Sequence, residues 1–183
     1  MTGSAPTRPA RPVVRDGRDD DADQLIALMA AVFTEYPSCV LDVDGEEPDL
    51  RAIATFYRGY GGRFWVAEHP GDGRIVAMVG GRPLNGGPHW ELKKLYVDSR
   101  CRGAGIGRLM VGLVEQEAVR QGAPVLELWS DTRFLDGHRL YERLGYVRQP
   151  GLRELHDLSN SVEFHYIKSL DLKRLDLKRL ETP

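Results

Sequence analysis

The sequence predicts a single domain of mixed α/β class, in which a central, mostly antiparallel sheet of roughly six to seven strands is flanked by about four helices. Three observations lead to this class. Helical apolar spacing occurs in both halves of the chain, β-hairpin signals fill the middle, and one strand, loop, helix and strand passage implies a parallel crossover. The 183 residues favour one domain with a single core.

The first part of the chain predicts a tail, a strand and a helix. Residues 1–12 are expected to be a disordered tail, because prolines are frequent and large apolar groups are scarce. Residues 13–15 predict a short opening strand. Asp21 and Gln24 have capping-box spacing ahead of a helical apolar stripe, and Pro37 is expected to end that helix.

An acidic loop and a second helix follow. The loop from Ser38 to Glu47 is irregular, and such a loop either attracts a cationic ligand or is simply solvated. The helix begins near Pro48 and ends at a group of glycines that starts with Gly59. We expect the two helices to form the wall of a ligand site. The carboxylates of the loop are Asp42, Asp44, Glu46 and Glu47.

The middle of the chain predicts strands. Residues 64–68 and 75–79 are separated by a turn with glycine and proline, which is typical of a β-hairpin. A further strand over residues 89–97 breaks the apolar alternation, because Leu92 and Leu95 face opposite sides of a regular strand. If both are buried on one face, an extra residue near Lys93-Lys94 must form a β-bulge.

The second half alternates helices and strands. A glycine-rich loop over residues 100–109 opens a helix with apolar residues at helical spacing, and residues 125–129 form the next strand, which implies the parallel crossover. Residues 134–144 predict another helix. Two closing strands, 146–148 and 162–167, are expected to be antiparallel.

The organisation along the chain is therefore a tail at residues 1–12, a domain at 13–170 and a C-terminal extension at 171–183. The extension repeats the pattern Asp-Leu-Lys-Arg-Leu at residues 171–175 and 176–180. Its leucines fit neither helical nor strand spacing, so the order of this extension stays open.

Composition excludes several classes of partner. The net charge of −2 arises from 25 basic and 27 acidic residues that are intermingled, so no global field favours nucleic acid or an anionic membrane. No apolar run approaches the roughly 18 residues that span a bilayer. Cys39 and Cys101 lack a metal-ligand pattern and are expected to be reduced thiols. We therefore expect a cytoplasmic protein with no metal, nucleic-acid or membrane partner.

The glycine-rich loop carries the strongest chemical signal. Gly103, Gly105 and Gly107 alternate, and the next residue is Arg108, which excludes a nucleoside triphosphate loop because that loop requires Lys followed by Ser or Thr. The spacing also departs from the dinucleotide fingerprint. A purely structural turn stays an alternative. The favoured interpretation is an anion nest for a pyrophosphate, with charge added by Arg102 and Arg108.

Two ordered motifs resemble a known family. Arg102-Gly103-Ala104-Gly105-Ile106-Gly107 resembles the arginine and glycine signature of the GNAT superfamily of acyl-CoA-dependent N-acyltransferases. Leu140-Tyr141-Glu142-Arg143-Leu144-Gly145-Tyr146 resembles a second segment of that family. The resemblance spans roughly residues 13–169. It implies a GNAT-like domain that uses acetyl-CoA as cosubstrate.

The resemblance also implies roles for residues. The glycine loop would hold the CoA pyrophosphate, and the backbone near Val97 would pair with the pantetheine arm between two splayed parallel strands, which the inferred bulge fits. The cofactor-binding residues implied in this way are Leu95, Tyr96, Val97, Arg102, Gly103, Ala104, Gly105, Ile106, Gly107 and Arg108.

Two side chains are candidates for the chemistry of acetyl transfer. An ammonium with a pKa near 10.4 costs about 4.6 kcal/mol to deprotonate at pH 7 without assistance. Glu91, at the start of the strand that leads to the glycine loop, is the candidate base, acting through a water molecule. Tyr141 is the candidate acid that protonates the departing thiolate. Transfer of a proton from a phenol to a thiolate costs about 2 kcal/mol at the ordinary pKa values of the two groups. The alternatives are a solvated Glu91 and a Tyr141 that only packs.

Some features leave the function open. Many family members carry asparagine where this chain has Phe134, so that amide contact is absent here unless His138 or Arg133 replaces it. The expected function is acetyl transfer to a primary amine of a small molecule or peptide, by direct attack, with a homodimer as an open possibility. The acidic loop favours a cationic acceptor, whereas Arg133 could hold an acceptor carboxylate. The alternative function is a non-catalytic acyl-CoA-binding module or sensor.

Overall fold

The computed structural model describes residues 11–84 and 87–172, which form one eight-stranded sheet with helices on both faces. The strands are β1 (Val13–Asp16), β2 (Arg63–Glu68), β3 (Ile75–Pro83), β4 (Trp90–Val97), β5 (Val125–Asp131), β6 (Val147–Arg148), β7 (Arg153–Glu154) and β8 (Val162–Ser169). The helices are α1 (Ala22–Phe33), α2 (Ile53–Gly59), α3 (Ile106–Arg120) and α4 (Leu135–Arg143). Most of the predicted tail and of the C-terminal repeat lies outside the described residues.

The sheet is mostly antiparallel. Its strand order is β1, β2, β3, β4, β5, β8 and β6, with β7 also paired to β8. Only β4 and β5 run parallel among the described strands, as the crossover through α3 requires. The predicted fold class is confirmed. The described sheet has eight strands, rather than six to seven, because β6 and β7 pair separately with β8.

A β-bulge interrupts the pairing of β3 with β4. Met78 pairs with Tyr96, whereas Gly80 pairs with Lys93, so one residue of β3 lies opposite two residues of β4. Lys94 occupies the bulge with a φ of 55°, a left-handed conformation that costs free energy for a residue with a side chain. The bulge predicted near Lys93-Lys94 is therefore confirmed.

The parallel pair β4 and β5 separates soon after it forms. Trp90 pairs with Leu126 and Glu91 with Glu127, and no later residue of β4 pairs with β5 in the described chain. The edge of β4 from residue 92 to residue 97 therefore has no strand partner on the β5 side. This divergence opens a cleft in the middle of the sheet.

Two apolar clusters hold the layers together. On one face, α3 buries Met110, Val111 and Val114 against the sheet. On the other face, α1 packs Leu25 and Met29 against the sheet and α2. Burial of such side chains stabilises each helix on its face by about 1.5–3 kcal/mol per residue. Both clusters contribute residues to the walls of the cleft.

The predicted capping box at the start of α1 is wrong. The carboxylate of Asp21 accepts hydrogen bonds from the Arg15 guanidinium at 2.8 Å and from the Arg18 N–H at 2.8 Å. The side chain of Gln24 instead accepts from the N–H of Ile75 at 3.0 Å. Asp21 thus caps the short 3-10 turn Asp19–Asp21 that precedes α1, and Gln24 ties α1 to β3, which is a tertiary contact that local spacing cannot reveal.

Candidate functional site

A cleft of about 640 Å³ lies where β4 and β5 diverge. We call it the large cleft, and it is bounded by the end of β4, the glycine loop, the first turn of α3 and the helix α4. Of the residues predicted to bind the cofactor, Ala104 does not line it. Those that do are Leu95, Tyr96, Val97, Arg102, Gly103, Gly105, Ile106, Gly107 and Arg108.

The glycines of the loop serve two purposes. Gly103 and Gly105 have φ values of 79° and 82°, and a Cβ added at either would meet no atom within 4 Å. Backbone conformation, rather than crowding within the chain, therefore requires glycine at these two positions. A Cβ at Gly107 would approach the Leu140 side chain at 2.9 Å, so this glycine permits close packing of α3 on α4.

The backbone of this loop offers an anion site. Among the described residues, the N–H groups from Gly103 to Arg108 donate no hydrogen bond, while the Leu109 N–H is the first to bond, to the Gly105 carbonyl at 3.0 Å. These free donors lie at the N-terminus of α3, where the helix dipole also favours negative charge. The loop can therefore bind a phosphate group with its backbone alone.

Arginines in and near the loop are used differently. Arg102 is held by Glu35, at 2.6 and 2.8 Å, and donates to the Val97 carbonyl at 3.1 Å. It therefore fastens the loop to the segment after α1. Arg108 and Arg143 line the large cleft and make no ion pair with any residue in the described ranges. Positive charge is thus available to a ligand from these two side chains.

Tyr141 lines the large cleft and is buried. Its side chain is 6% exposed, and its ring packs against Tyr146 and Tyr166 at 5.9 and 5.8 Å. Its hydroxyl makes no hydrogen bond with the described residues. Burial raises the pKa of Tyr141 above its usual value of 10. The phenol therefore keeps its proton throughout the neutral pH range.

A second cavity, which we call the small cavity, continues from the large cleft and has a volume of about 160 Å³. It lies between the acidic loop, the bulge of β4, the end of β5 and the segment that leads into β8. The two cavities share the residues Leu95, Tyr96, Ser130, Phe134 and Tyr141. The two cavities are therefore adjacent at these residues.

Glu91 lies outside both of these cavities. It is 6% exposed and lines an outer groove of about 780 Å³, where Arg82 and Lys93 approach its carboxylate at 3.4 and 3.7 Å. Arg82 is itself stacked over the ring of Tyr60 at 4.7 Å. The structure does not bring Glu91 and Tyr141 to a common cavity, although the outer groove and the small cavity are contiguous.

The side chains at the bulge and opposite it were missed by sequence reasoning. The ammonium of Lys94 is buried and contacts Glu47 and, at 3.2 Å, Asp49. Glu163 on β8 is held by Arg153 at 2.5 Å, and it faces the same cavity as Glu47. The predicted bulge was a signal for Lys94. No local pattern marks Glu163.

Phe134 lines both the large cleft and the small cavity and lies among aromatic side chains. Its ring lies 4.7 Å from that of Tyr36 and 6.5 Å from that of Tyr96. Neither proposed substitute for an amide at this position is free. His138 bonds to the Asp131 carbonyl at 3.0 Å, and Arg133 is bound to the Asp131 carboxylate at 2.5 and 2.8 Å.

Comparisons with known proteins agree with this geometry. The family model described as Acetyltransferase (GNAT) family matches residues 26–146. The mouse protein named "Probable N-acetyltransferase family 8 member 5" is 31% identical over 148 residues, which is 78% of this chain and 62% of that protein. Human N-acetylaspartate synthetase is 32% identical over 116 residues, 63% of this chain and 36% of that protein. The chain thus matches only part of these relatives' lengths.

Solved structures share the fold. An acetyltransferase of the GNAT family from Staphylococcus aureus Mu50 has a TM-score of 0.75 at 21% identity, covering 87% of this chain and 99% of that one. A Salmonella typhimurium protein, whose structure was determined with its cofactor acetyl-CoA, has a TM-score of 0.66 at 16% identity, covering 88% and 95%. Within residues 11–84 and 87–172, no helix has both the length and the apolarity needed to cross a membrane.

Proposed function

The chain belongs to the acetyltransferase (GNAT) family, and from this premise we propose that it transfers an acetyl group from acetyl-CoA to a primary amine of a small molecule or peptide. The transferase domain would be residues 13–170. The observation that carries the proposal is the meeting of two cavities at Tyr141, one with a free anion nest and one lined by carboxylates.

The large cleft fits acetyl-CoA. Its volume of about 640 Å³ lies in the range typical of cofactor sites. The N–H groups from Gly103 to Arg108 would bind the pyrophosphate, with Arg108 and Arg143 adding charge. The unpaired edge of β4 at Leu95, Tyr96 and Val97 would form hydrogen bonds with the amide groups of the pantetheine arm. The arm would then occupy the place of an added strand.

In the reaction, the amine nitrogen attacks the carbonyl carbon of the thioester. A carbon–nitrogen bond forms, the carbon–sulfur bond breaks, the nitrogen loses one proton and the sulfur gains one. Backbone N–H groups at the bulge would polarise the carbonyl oxygen. The protein thus has to supply a proton to sulfur and accept one from nitrogen.

Tyr141 is the proposed acid. Its hydroxyl has no partner in the described chain, and it borders both cavities, so a thiolate leaving in the large cleft would be within its reach. Burial raises the pKa of Tyr141 and therefore weakens it as an acid. The same apolar surroundings raise the basicity of a departing thiolate, which compensates for this effect.

Glu91 stays the proposed base, acting through water. Its carboxylate is in the outer groove, which borders the small cavity along Leu92 and Lys93. A proton leaving the amine would have to cross this boundary. The arrangement supports a relay through solvent rather than direct contact.

The proposal is tested by measuring binding and turnover separately. Acetyl-CoA should raise the melting temperature of the protein in a saturable way. A panel of primary amines should then release free CoA thiol, detected with a thiol reagent. Saturable binding with no turnover of any amine would favour the acyl-CoA sensor, and absence of binding would overturn both functions.

The relatives do not decide the acceptor. Human N-acetylaspartate synthetase acts, by its name, in making N-acetylaspartate, but the match spans 36% of that protein. We therefore propose only a primary amine as the acceptor at this level. A cytoplasmic location and a homodimer stay predictions.

A further inference from the structure

Three carboxylates and one tyrosine border the place where the cavities join. Glu46 and Glu47 in the acidic loop and Glu163 on β8 line both the small cavity and the outer groove, and the charges of two of them, Glu47 and Glu163, act on Tyr96. Of the described residues, Tyr96 alone lines the small cavity, the outer groove and the large cleft. Its ring is fixed edge-on against Phe33 at 5.8 Å. Tyr96 therefore lies where the outer groove, the small cavity and the large cleft are closest to one another.

The two carboxylates act on this position. Burial raises the pKa of Tyr96 well above its usual value, and the charges of Glu47 and Glu163 and the nearby Tyr141 hydroxyl raise it further. Glu47 and Glu163 come from segments more than a hundred residues apart in the sequence, so they approach the junction from different walls. A ligand at the junction therefore experiences negative charge from more than one side.

The small cavity carries an excess of negative charge. Its lining includes six carboxylates and two ammonium groups, those of Lys93 and Lys94. Arg133 and Arg153 form ion pairs with two of the carboxylates, Asp131 and Glu163. The negative groups still outnumber the positive groups when these two arginines are counted. The six carboxylates are those of Asp42, Glu46, Glu47, Asp131, Asp157 and Glu163.

A second observation points to a ligand in this cavity. Tyr141 is more than nine-tenths buried, lines the cavity and has no hydrogen-bond partner among the described residues. Its hydroxyl is not one of the fully buried polar atoms, so it is open to the cavity and can pair with a hydrogen-bonding group of a ligand. The Tyr141 hydroxyl and the excess of carboxylates therefore belong to the same binding site.

From these observations, and on the basis of the proposed acetyl transfer, we propose that the acceptor is an amine with a second cationic group and no carboxylate. Glu47 and Glu163 attract the cation and direct the reacting amine past Tyr96. They are specificity-determining residues, distinct from the acid and the base.

The cations near the cavity are already committed, which disfavours an acceptor carboxylate. Lys94 is held by Glu47 and Asp49, Lys93 lies 3.7 Å from Glu91, and Arg133 and Arg153 are held by Asp131 and Glu163. A carboxylate entering here would meet Glu163 and Glu47 without a free cation to offset them. The expectation that Arg133 holds an acceptor carboxylate is therefore disfavoured.

The test uses three amines with the same five-carbon chain. Cadaverine carries a second ammonium, pentylamine a methyl group, and δ-aminovalerate a carboxylate at the far end. We expect kcat/KM to fall in that order, with cadaverine at least about tenfold above δ-aminovalerate, the ratio that ~1.4 kcal/mol produces. The reverse order would overturn the inference while leaving acetyl transfer intact.

Two variants of one ion pair separate charge selection from structural support. Glu163→Gln should reduce the preference for cadaverine over δ-aminovalerate about tenfold, with the KM for acetyl-CoA unchanged. Arg153→Gln removes the opposite charge and should increase that preference. Both variants break the same contact, so a purely structural pair predicts equal losses for all three amines in both, and that result would overturn the inference.

A binding measurement makes the outcome independent of turnover. Cadaverine is titrated calorimetrically into the full chain saturated with CoA, beside δ-aminovalerate. Selective binding of cadaverine without any turnover would support the charge selection and count against the proposed catalysis. Absence of cadaverine binding would overturn the charge selection, whatever the other amines do.

Discussion

The large cleft and the small cavity meet at Tyr141 but are built in different ways. The large cleft offers backbone donors from one short loop and one open strand edge, supplemented by two unpaired arginines. The small cavity offers side-chain charges from widely separated segments, most of them held by ion pairs. A site made of backbone changes little when side chains change. A site made of side-chain charge can change its ligand with one substitution.

The largest expected effect is at the backbone site. Gly105→Val puts a β-branched residue at a φ of 82°, so the loop must change conformation and lose the aligned N–H groups. We expect the saturable increase in melting temperature with acetyl-CoA, worth about 2.7 kcal/mol at a hundredfold excess over Kd in the wild type, to disappear.

The matched control is in the helix that follows the loop. Gly112 in α3 has no atom within 4 Å of an added Cβ and a helical φ, so Gly112→Ala should keep the acetyl-CoA response and raise the unfolding free energy by up to about 1 kcal/mol. A normal acetyl-CoA response in Gly105→Val would show that the loop does not bind the cofactor through its backbone.

The next effect concerns the junction. Tyr141→Phe keeps the packing against Tyr146 and Tyr166 and removes only the hydroxyl, so kcat should fall about a hundredfold, as expected for loss of a general acid. The Kd for acetyl-CoA should stay within about twofold. Because burial raises the pKa of Tyr141, deprotonation of this group should give the wild type no alkaline fall in kcat below about pH 10.

Tyr146→Phe is the control for this change. Tyr146 is also buried, but its hydroxyl donates to Glu115 at 3.1 Å, away from both cavities. This variant should lose some stability and retain kcat. Equal kcat losses in the two variants would assign Tyr141 a packing role.

The sequence predicts the large cleft better than the small cavity, because the two are built from different kinds of segment. The loop at residues 102–107 and the segment at 140–146 are short and continuous, so local pattern identified them, and the broken alternation around Lys93-Lys94 identified the bulge. The small cavity draws on residues 39–47 and 155–163, which only the folded chain brings together. No spacing rule relates Glu47 to Glu163.

A smaller effect is expected at Glu91. Glu91→Gln should lower kcat about tenfold, less than a base in direct contact with the amine, because the carboxylate acts through water from the outer groove. Acetyl-CoA binding should not change, since Glu91 does not line the large cleft. The steady-state kcat and the Kd for acetyl-CoA are the two measurements.

Unchanged kcat in Glu91→Gln would contradict the proposed base. The carboxylate would then serve as a structural partner of the Arg82 guanidinium, 3.4 Å away, and of the Lys93 ammonium, 3.7 Å away. In that case Arg82→Gln should reduce stability about as much as Glu91→Gln does, and the search for the base would move to the carboxylates of the small cavity.

The last effect is on stability rather than on catalysis, and it concerns Asp98, the residue that joins the open strand edge to the glycine loop. Its carboxylate accepts hydrogen bonds from the Arg100 side chain and backbone and from Arg74, at 2.7 to 3.0 Å, and these contacts hold the pKa of Asp98 well below its usual range. Asp98→Asn should lower the unfolding free energy by about 2 kcal/mol at pH 7, measured by urea denaturation.

The pH dependence distinguishes this ion pair from general damage to the loop. A carboxyl group with a lowered pKa in the folded state contributes stability that is fully present above the unfolded pKa near 3.9 and is lost as the pH falls through the folded pKa. The unfolding free energies of wild type and Asp98→Asn should therefore converge in acid. Asp44→Asn, whose pair with Arg51 is exposed, should change stability by less than about 0.5 kcal/mol at any pH. A difference between wild type and Asp98→Asn that stays constant from neutral to acid pH would mean that the side-chain shape at this position, and not its charge, supports the loop.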